Sequence, residues 1–290
     1  MLKKMLSSVL ALAMTAALLT GCGGEPAPSA PASEAASGAA PAASAVDAAS
    51  DWDYIADKGS LVVGMTIFDP MNYYDENNVL IGFDTELAQA VGKKLGVEVE
   101  FMEIDWANKL MELESKKVDC LWNGMTIQED YKDVVSYSVP YSANYQAVVI
   151  NQANKDVYTD LASMAKANIG VEAGSAGEAA VKADEFLSQG NVIPVVAQRN
   201  NLLELKSGTL DLAVIDAVMA MASVGEGTDF ADLMIVPDIE LSKEEYGVGF
   251  RKDSDVVEKV NAALQELANE GFIEELQAKY PSVMVTLKAQ

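Results

Sequence analysis

Residues 169–178, Ile169-Gly170-Val171-Glu172-Ala173-Gly174-Ser175-Ala176-Gly177-Glu178, read as a short apolar strand, a Gly-containing turn and the start of a helix. The strand is Ile169 to Glu172, the helix continues near Gly177 to Leu187, and Val192 to Val196 is a strand again. Downstream the alternation repeats, with a helix over Asn200 to Lys206, a strand over Leu212 to Ile215 and a helix over Ala217 to Ser223. Upstream, Leu61 to Met65 is a first strand. The helix Glu86 to Leu95 follows, with Leu87, Ala88, Val91 and Leu95 on one face. Val97, Val99 and Phe101 alternate as a half-buried strand does, Ala107 to Lys117 is helical, and Val118 to Trp122 and Ala147 to Ile150 are strands. Tyr246 to Arg251 forms a last strand, and the helices Ser254 to Asn269 and Ile273 to Lys279 close the chain on either side of Gly271. Strand and helix in turn predict an α/β protein with mainly parallel sheets, built as two similar lobes.

Composition narrows the chemistry. Half of the 290 residues are apolar, enough for a substantial core, and the formal charge of −24 repels nucleic acid and anionic lipid. The chain has no histidine, which excludes a His-based triad, an imidazole acid–base pair and a His-ligated metal. Neither metal nor cofactor is expected. Cys120 lies in a strand-like run and reads as a small buried residue with no disulfide partner. The turn at Gly174 is no phosphate loop, because no Gly-Lys-Ser or Gly-Lys-Thr follows it.

At the other end, Lys3 and Lys4 precede the apolar run Leu6 to Leu19, which is short for a membrane span. With Leu19-Thr20-Gly21-Cys22 at its end, this segment resembles a bacterial lipoprotein signal. The resemblance implies cleavage after residue 21 and a lipid on Cys22, holding the protein to the outer face of the cell membrane. Residues 23–50 are almost entirely Ala, Ser, Pro and Gly and read as a tether with an end-to-end distance of roughly 30 Å. The globular part is 51–290.

Several motifs in this part are similar to those of amino-acid-type solute-binding proteins of bacterial ABC importers. They are Gly82-Phe83-Asp84, Asp119 to Thr126, Pro140-Tyr141, Val171 to Glu178 and Tyr246 to Phe250, in that order. The resemblance covers 59–281 and implies a two-lobed periplasmic-binding-protein-like fold with two crossover strands, near Ala143 to Ala147 and Asp238 to Ser242. Lobe 1 would be 51–143 plus 241–290 and lobe 2 would be 144–240. A small amino acid or amine in the cleft would close the lobes, and the membrane-embedded permease subunits would receive the closed monomer.

The same resemblance assigns site residues. Phe68 and Trp106 would sandwich the ligand, and Asn123, Gly124 and Thr126 would form the turn that holds its ammonium. Asp216 would bind that ammonium too, as a buried charge whose partner arrives only with the ligand. Ser175 and Ala176 open a helix whose free N–H groups suit a carboxylate. The chain departs from the pattern at Tyr131, where relatives carry an Arg that grips the ligand carboxylate. Lys132 beside it faces elsewhere. Glu172 stands where relatives often have an amide or a base, so the cleft is expected to be more acidic and its ligand cationic or amine-rich. Thr66 replaces an Asp common in receptors for basic amino acids, with Asp69 nearby.

Two other classes fit the same resemblance. Dehydratases share the fold, and Glu172, Glu178, Asp216 or a Tyr would have to move the proton. A sensor module is normally fused to a membrane helix and a cytoplasmic domain, neither of which precedes Gln290.

Overall fold

A computed structural model of the chain describes residues 50–290. The signal peptide, the lipidated Cys22 and nearly all of the tether read from the sequence lie outside these residues. The described elements begin with helix α1 (Asp51–Lys58), strands β1 (Ser60–Met65), β2 (Tyr73–Tyr74) and β3 (Leu80–Ile81), and helix α2 (Phe83–Leu95). Strand β4 (Glu98–Glu103), helix α3 (Lys109–Glu114) and strands β5 (Cys120–Leu121), β6 (Val135–Tyr137) and β7 (Ser142–Asn151) follow. Next come β8 (Asn168–Glu172), α4 (Ala176–Ala183), β9 (Asn191–Val195), α5 (Gln198–Ser207), β10 (Leu212–Asp216) and α6 (Ala217–Ser223). The chain finishes with β11 (Leu233–Tyr246), β12 (Gly249–Arg251), α7 (Val256–Asn269), α8 (Phe272–Lys279) and β13 (Met284–Val285).

Two large sheets result. The first has the order β4-β1-β5-β12-β6 and the second β11-β7-β10-β8-β9, with β13 added on β7. The strands joined by helices are parallel, namely β1 with β4 and β5, and β8 with β9 and β10. Strands that arrive from the other half of the chain run antiparallel: β12 against β5 and β6, and β7 against β10 and β11. The sheets are therefore mixed rather than mainly parallel, because a strand entering without a helical crossover is free to run either way.

The two long strands β7 and β11 pair along their lengths and carry the chain between the sheets, as expected of crossover strands. Their register slips between Ile235 and Glu240 and again between Leu241 and Lys243, and Asp238 and Ser242 there take left-handed φ values of 62° and 40°. The expected strand Tyr246 to Arg251 breaks at Gly247 and Val248. There the backbone leaves β7 and bonds instead to Met125 and Ser138 of the first half.

Helix α2 starts three residues before the periodicity indicates. Its first amides have no side-chain cap and donate to the carbonyls of Pro70 and Met71, at 2.9–3.2 Å for Phe83, Asp84 and Thr85. The loop comes that close only because residue 82 is Gly, at φ 127°, where a Cβ would lie 2.2 Å from the Met71 carbonyl oxygen. Leu87, Ala88 and Val91 are then fully buried and pack with α7 and α8 in the largest apolar cluster. That cluster also holds Trp122 and Cys120, both 0% exposed. Burial pushes the Cys120 thiol up, away from the reactive thiolate.

Candidate functional site

A cleft with about 340 Å³ of empty space, counted together with the solvent at its opening, lies where β5, β8 and β10 end, at the carboxyl edges of both sheets. The first half contributes Trp106, Lys109 and the turn Asn123 to Thr126, and the second contributes Glu172, Ser175, Ala176, Gln198 and Asp216.

The turn after β5 is fixed from behind. Asn123 spends its whole amide on the protein, accepting from the Thr66 backbone (3.0 Å) and hydroxyl (2.9 Å) and donating to the Thr66 carbonyl (2.9 Å) and Asn72 (2.8 Å). Its role is to join the end of β1 to the turn, although it borders the cavity. The Gly124 amide donates to the carboxylate of Asp84 at 2.7 Å, which also accepts from the Tyr141 hydroxyl at 3.0 Å. Full burial raises the Asp84 pKa to about 7. Thr126 donates its hydroxyl proton to Glu244 at 2.8 Å, so only its lone pairs are left for the cavity.

Phe68 does not line the cavity. Its ring is buried against Gly124, where a Cβ would stand 2.6 Å from Phe68 Cε1 and 3.1 Å from the Tyr246 ring. Gly124 also has φ +56°. Gly124→Ala therefore combines a left-handed backbone with a clash against a buried ring, and a loss of about 2–3 kcal/mol in denaturant unfolding is expected, with the turn displaced. Tyr131, in a single turn of 3₁₀ helix, is likewise outside the lining, its ring 5.4 Å from the ammonium of Lys109. Trp106 does face the cavity and is 7% exposed.

On the opposite wall, Ser175 caps α4 by accepting from the Glu178 amide at 3.1 Å, and the Glu178 carboxylate accepts from the Gly174 amide at 2.8 Å. The arrangement is a variant of the capping box, written in the sequence as Ser-x-x-Glu, in which Glu178 reaches the amide one residue before the N-cap. Glu172 is 3% exposed, its Oε1 has no hydrogen-bond partner, and burial lifts its pKa to about 8 against the pull of Lys109.

Asp216 stands at the N-cap of α6 but makes no capping hydrogen bond. Its Oδ1 accepts from Asn144 (2.5 Å), Gln146 (2.9 Å) and Tyr246 (2.5 Å), and its Oδ2 accepts from Gln198. The buried carboxylate thus has four neutral donors before any ligand arrives, contrary to the expectation of an unpartnered charge. None of them supplies a positive charge, and burial holds its pKa above the usual value.

Glu244 completes the group and went unnoticed in the sequence. Its carboxylate accepts from the same two amides as Asp216, Asn144 at 3.2 Å and Gln146 at 3.1 Å. Each amide has two protons and gives one to each acid. Burial, with Asp216 near, raises the Glu244 pKa to about 7. The Lys243-Glu244-Glu245 run looks like a solvated charge patch, yet alternation back from buried Tyr246 points Glu244 inward. Lys109 and Gln198 were also missed. The signal for Lys109 in the sequence was only its position three residues after Trp106.

The halves also meet outside the cavity, where Arg199 Nη1 of α5 lies 2.5 Å from the Asp69 carboxylate. Among the described residues, no group of three His, Cys, Asp or Glu side chains is arranged to hold a metal, and no helix is long and apolar enough to cross a membrane.

A cavity at the carboxyl edges of two mixed sheets tied by paired crossover strands is a two-lobed binding architecture. The profile of the bacterial extracellular solute-binding proteins, family 3, matches residues 61–282. The chain belongs to that family. A family relative, the arginine-binding extracellular protein ArtP of Bacillus subtilis, is 31% identical over 230 residues, covering 77% of this chain and 86% of the relative. Among solved structures of the fold, an ancestral arginine-binding protein bound to arginine is 36% identical with a TM-score of 0.70, covering 77% of this chain and 98% of that one. An ancestral amino-acid-binding protein described as a precursor of cyclohexadienyl dehydratase is 28% identical with a TM-score of 0.71, covering 80% and 99%.

Proposed function

We propose that this family member is the extracytoplasmic receptor of an ABC importer and that it binds an amino acid with a cationic side chain. The observation that carries the reading is the acidic wall formed by Glu172 and Asp216, both buried, with Glu172 Oε1 unsatisfied. A buried carboxylate oxygen without a donor is costly, and a ligand ammonium or guanidinium removes that cost. Relatives named for arginine binding support the same class. Trp106 offers an apolar face to the ligand's carbon chain, and Gly124, Thr126, Ser175 and Ala176 shape the remainder.

In this reading 51–143 plus 241–290 move as one lobe and 144–240 as the other. Closure brings Arg199 to Asp69, and the permease subunits take up the closed monomer. Cleavage after residue 21 leaves Cys22 lipidated and the protein tethered outside the cell membrane through 23–50. The protein binds its solute without turning it over.

A thermal-shift screen of the protein lacking residues 1–50 tests this against L-arginine, L-histidine, L-cystine and L-glutamine. L-Arginine at a thousandfold excess over Kd should stabilise the native state by about 4 kcal/mol, a rise of about 10 °C. A larger rise with glutamine would refute the cationic ligand, and no rise with any would refute the receptor. Turnover of prephenate or arogenate by the same preparation would move the assignment to the dehydratase class.

A further inference from the structure

Lys109 is the only cation among the residues that line the cavity, and it is 3% exposed. Its Nζ donates to the Gly174 carbonyl of the second half at 2.7 Å and lies 3.4 Å from the carbonyl of Trp106. The rings of Trp106 and Tyr131 flank it, with centroids 5.2 and 5.4 Å away. An ammonium has three protons. Gly174 takes one at good geometry, and Trp106 takes a second only at the limit of hydrogen-bond range. No carboxylate forms an ion pair with it among the described residues, and Glu172 and Glu178 act on it only at longer range.

The cavity therefore carries one buried ammonium without a counter-ion, facing two buried acids, Glu172 and Asp216. We propose that Lys109 holds the carboxylate of the ligand and so makes the site select an amino acid over the corresponding decarboxylated amine. This rests on the reading of the cavity as a site for a cationic amino acid, and it accounts for the whole ligand. Two positive groups meet two acids, and one carboxylate meets one ammonium. It also explains how the site dispenses with a guanidinium at position 131. The Tyr131 ring props the ammonium of Lys109 from the side, and the bond to Gly174 aims it at the start of α4, where Ser175 and Ala176 border the same space. Burial lowers the pKa of Lys109 to about 8, which leaves it charged at neutral pH.

The test is isothermal titration of L-arginine and of agmatine, which is arginine without its carboxylate, into the wild type, Lys109→Gln and Lys109→Arg. Gln keeps a donor for the Gly174 carbonyl and loses the charge, while Arg keeps both. The wild type should prefer L-arginine on the order of 100-fold, and Lys109→Arg should retain most of that preference. Lys109→Gln should bind the two ligands within a few fold of each other, mainly through weaker binding of L-arginine. A wild-type preference left intact in Lys109→Gln overturns the assignment of Lys109 while leaving the receptor reading standing. Failure of the wild type to bind either ligand overturns both. Melting of each unliganded variant checks folding, and if Lys109→Gln does not melt cooperatively, Lys109→Met with the same two ligands decides the question in the same way.

Discussion

Asp216→Asn is expected to weaken binding of L-arginine about 100-fold while leaving a folded protein. The amide has nearly the shape of the carboxylate, and one of its atoms is still an acceptor, but the negative charge that a ligand ammonium requires is gone. Removing the charge also relieves Glu244, which is hydrogen-bonded to the same Asn144 and Gln146 amides as Asp216. Asp216→Ala is the less informative change. It leaves the donors of Asn144, Gln146, Gln198 and Tyr246 without an acceptor, at about 1–3 kcal/mol each, and is expected to damage the fold as well as the site. Calorimetric titration together with a melting curve separates the two effects. Wild-type affinity in a well-folded Asp216→Asn would remove Asp216 from the site.

The second large effect is in the pH dependence of the unliganded protein, which is expected to be most stable near pH 5 and to lose at least ~3 kcal/mol by pH 8. Burial raises the pKa values of Asp84 and Glu244 to about 7 and of Glu172 to about 8, and it raises that of Asp216 as well. Each of these acids holds its proton more tightly folded than unfolded. Their stabilisation is complete below the unfolded values of 3.8 for Asp and 4.5 for Glu and is lost as pH rises through the folded values. Below pH 5 the carboxylates whose pKa is lowered, such as Asp51 beside Arg251, begin to lose their interactions, which sets the acid side of the optimum. Melting curves from pH 4.5 to 8 read the profile directly. Saturating L-arginine should flatten it, because a bound cation stabilises the ionised acids. A melting temperature that climbs from pH 5 to pH 8 without ligand would contradict the buried acids' raised pKa values.

The alternation of strands and helices was plain in the sequence because most elements carry their own signal. Helix α6 has the limits its composition indicates, and β8 and β10 differ from theirs by one residue. What the sequence hid depends on partners far along the chain. Residues 83–85 join α2 because carbonyls of the 70–71 loop receive their amides, and β2, β3, β6 and β13 are too short for any period to show. The acidic cavity was legible through Glu172 and Asp216, which end apolar strands. Glu244 was obscured by neighbouring charges, and Lys109 resembled an ordinary residue on a solvated helix face until the fold brought Gly174 to it. Phe68, assigned by resemblance to the ligand's flank, is buried behind Gly124, since an aromatic side chain fits a core and a cleft equally well in sequence.

Trp106 at the cavity wall has a practical use. The chain has three tryptophans, and of these Trp106 lines the cavity, whereas Trp122 is sealed in the core and Trp52 packs under Lys259, whose ammonium lies 5.0 Å from its ring. Solute contact is therefore expected to change the emission of the Trp106 indole, with no attached dye. Occupancy is readable optically in the unmodified protein, and replacing Trp106 by Phe silences the signal at its source.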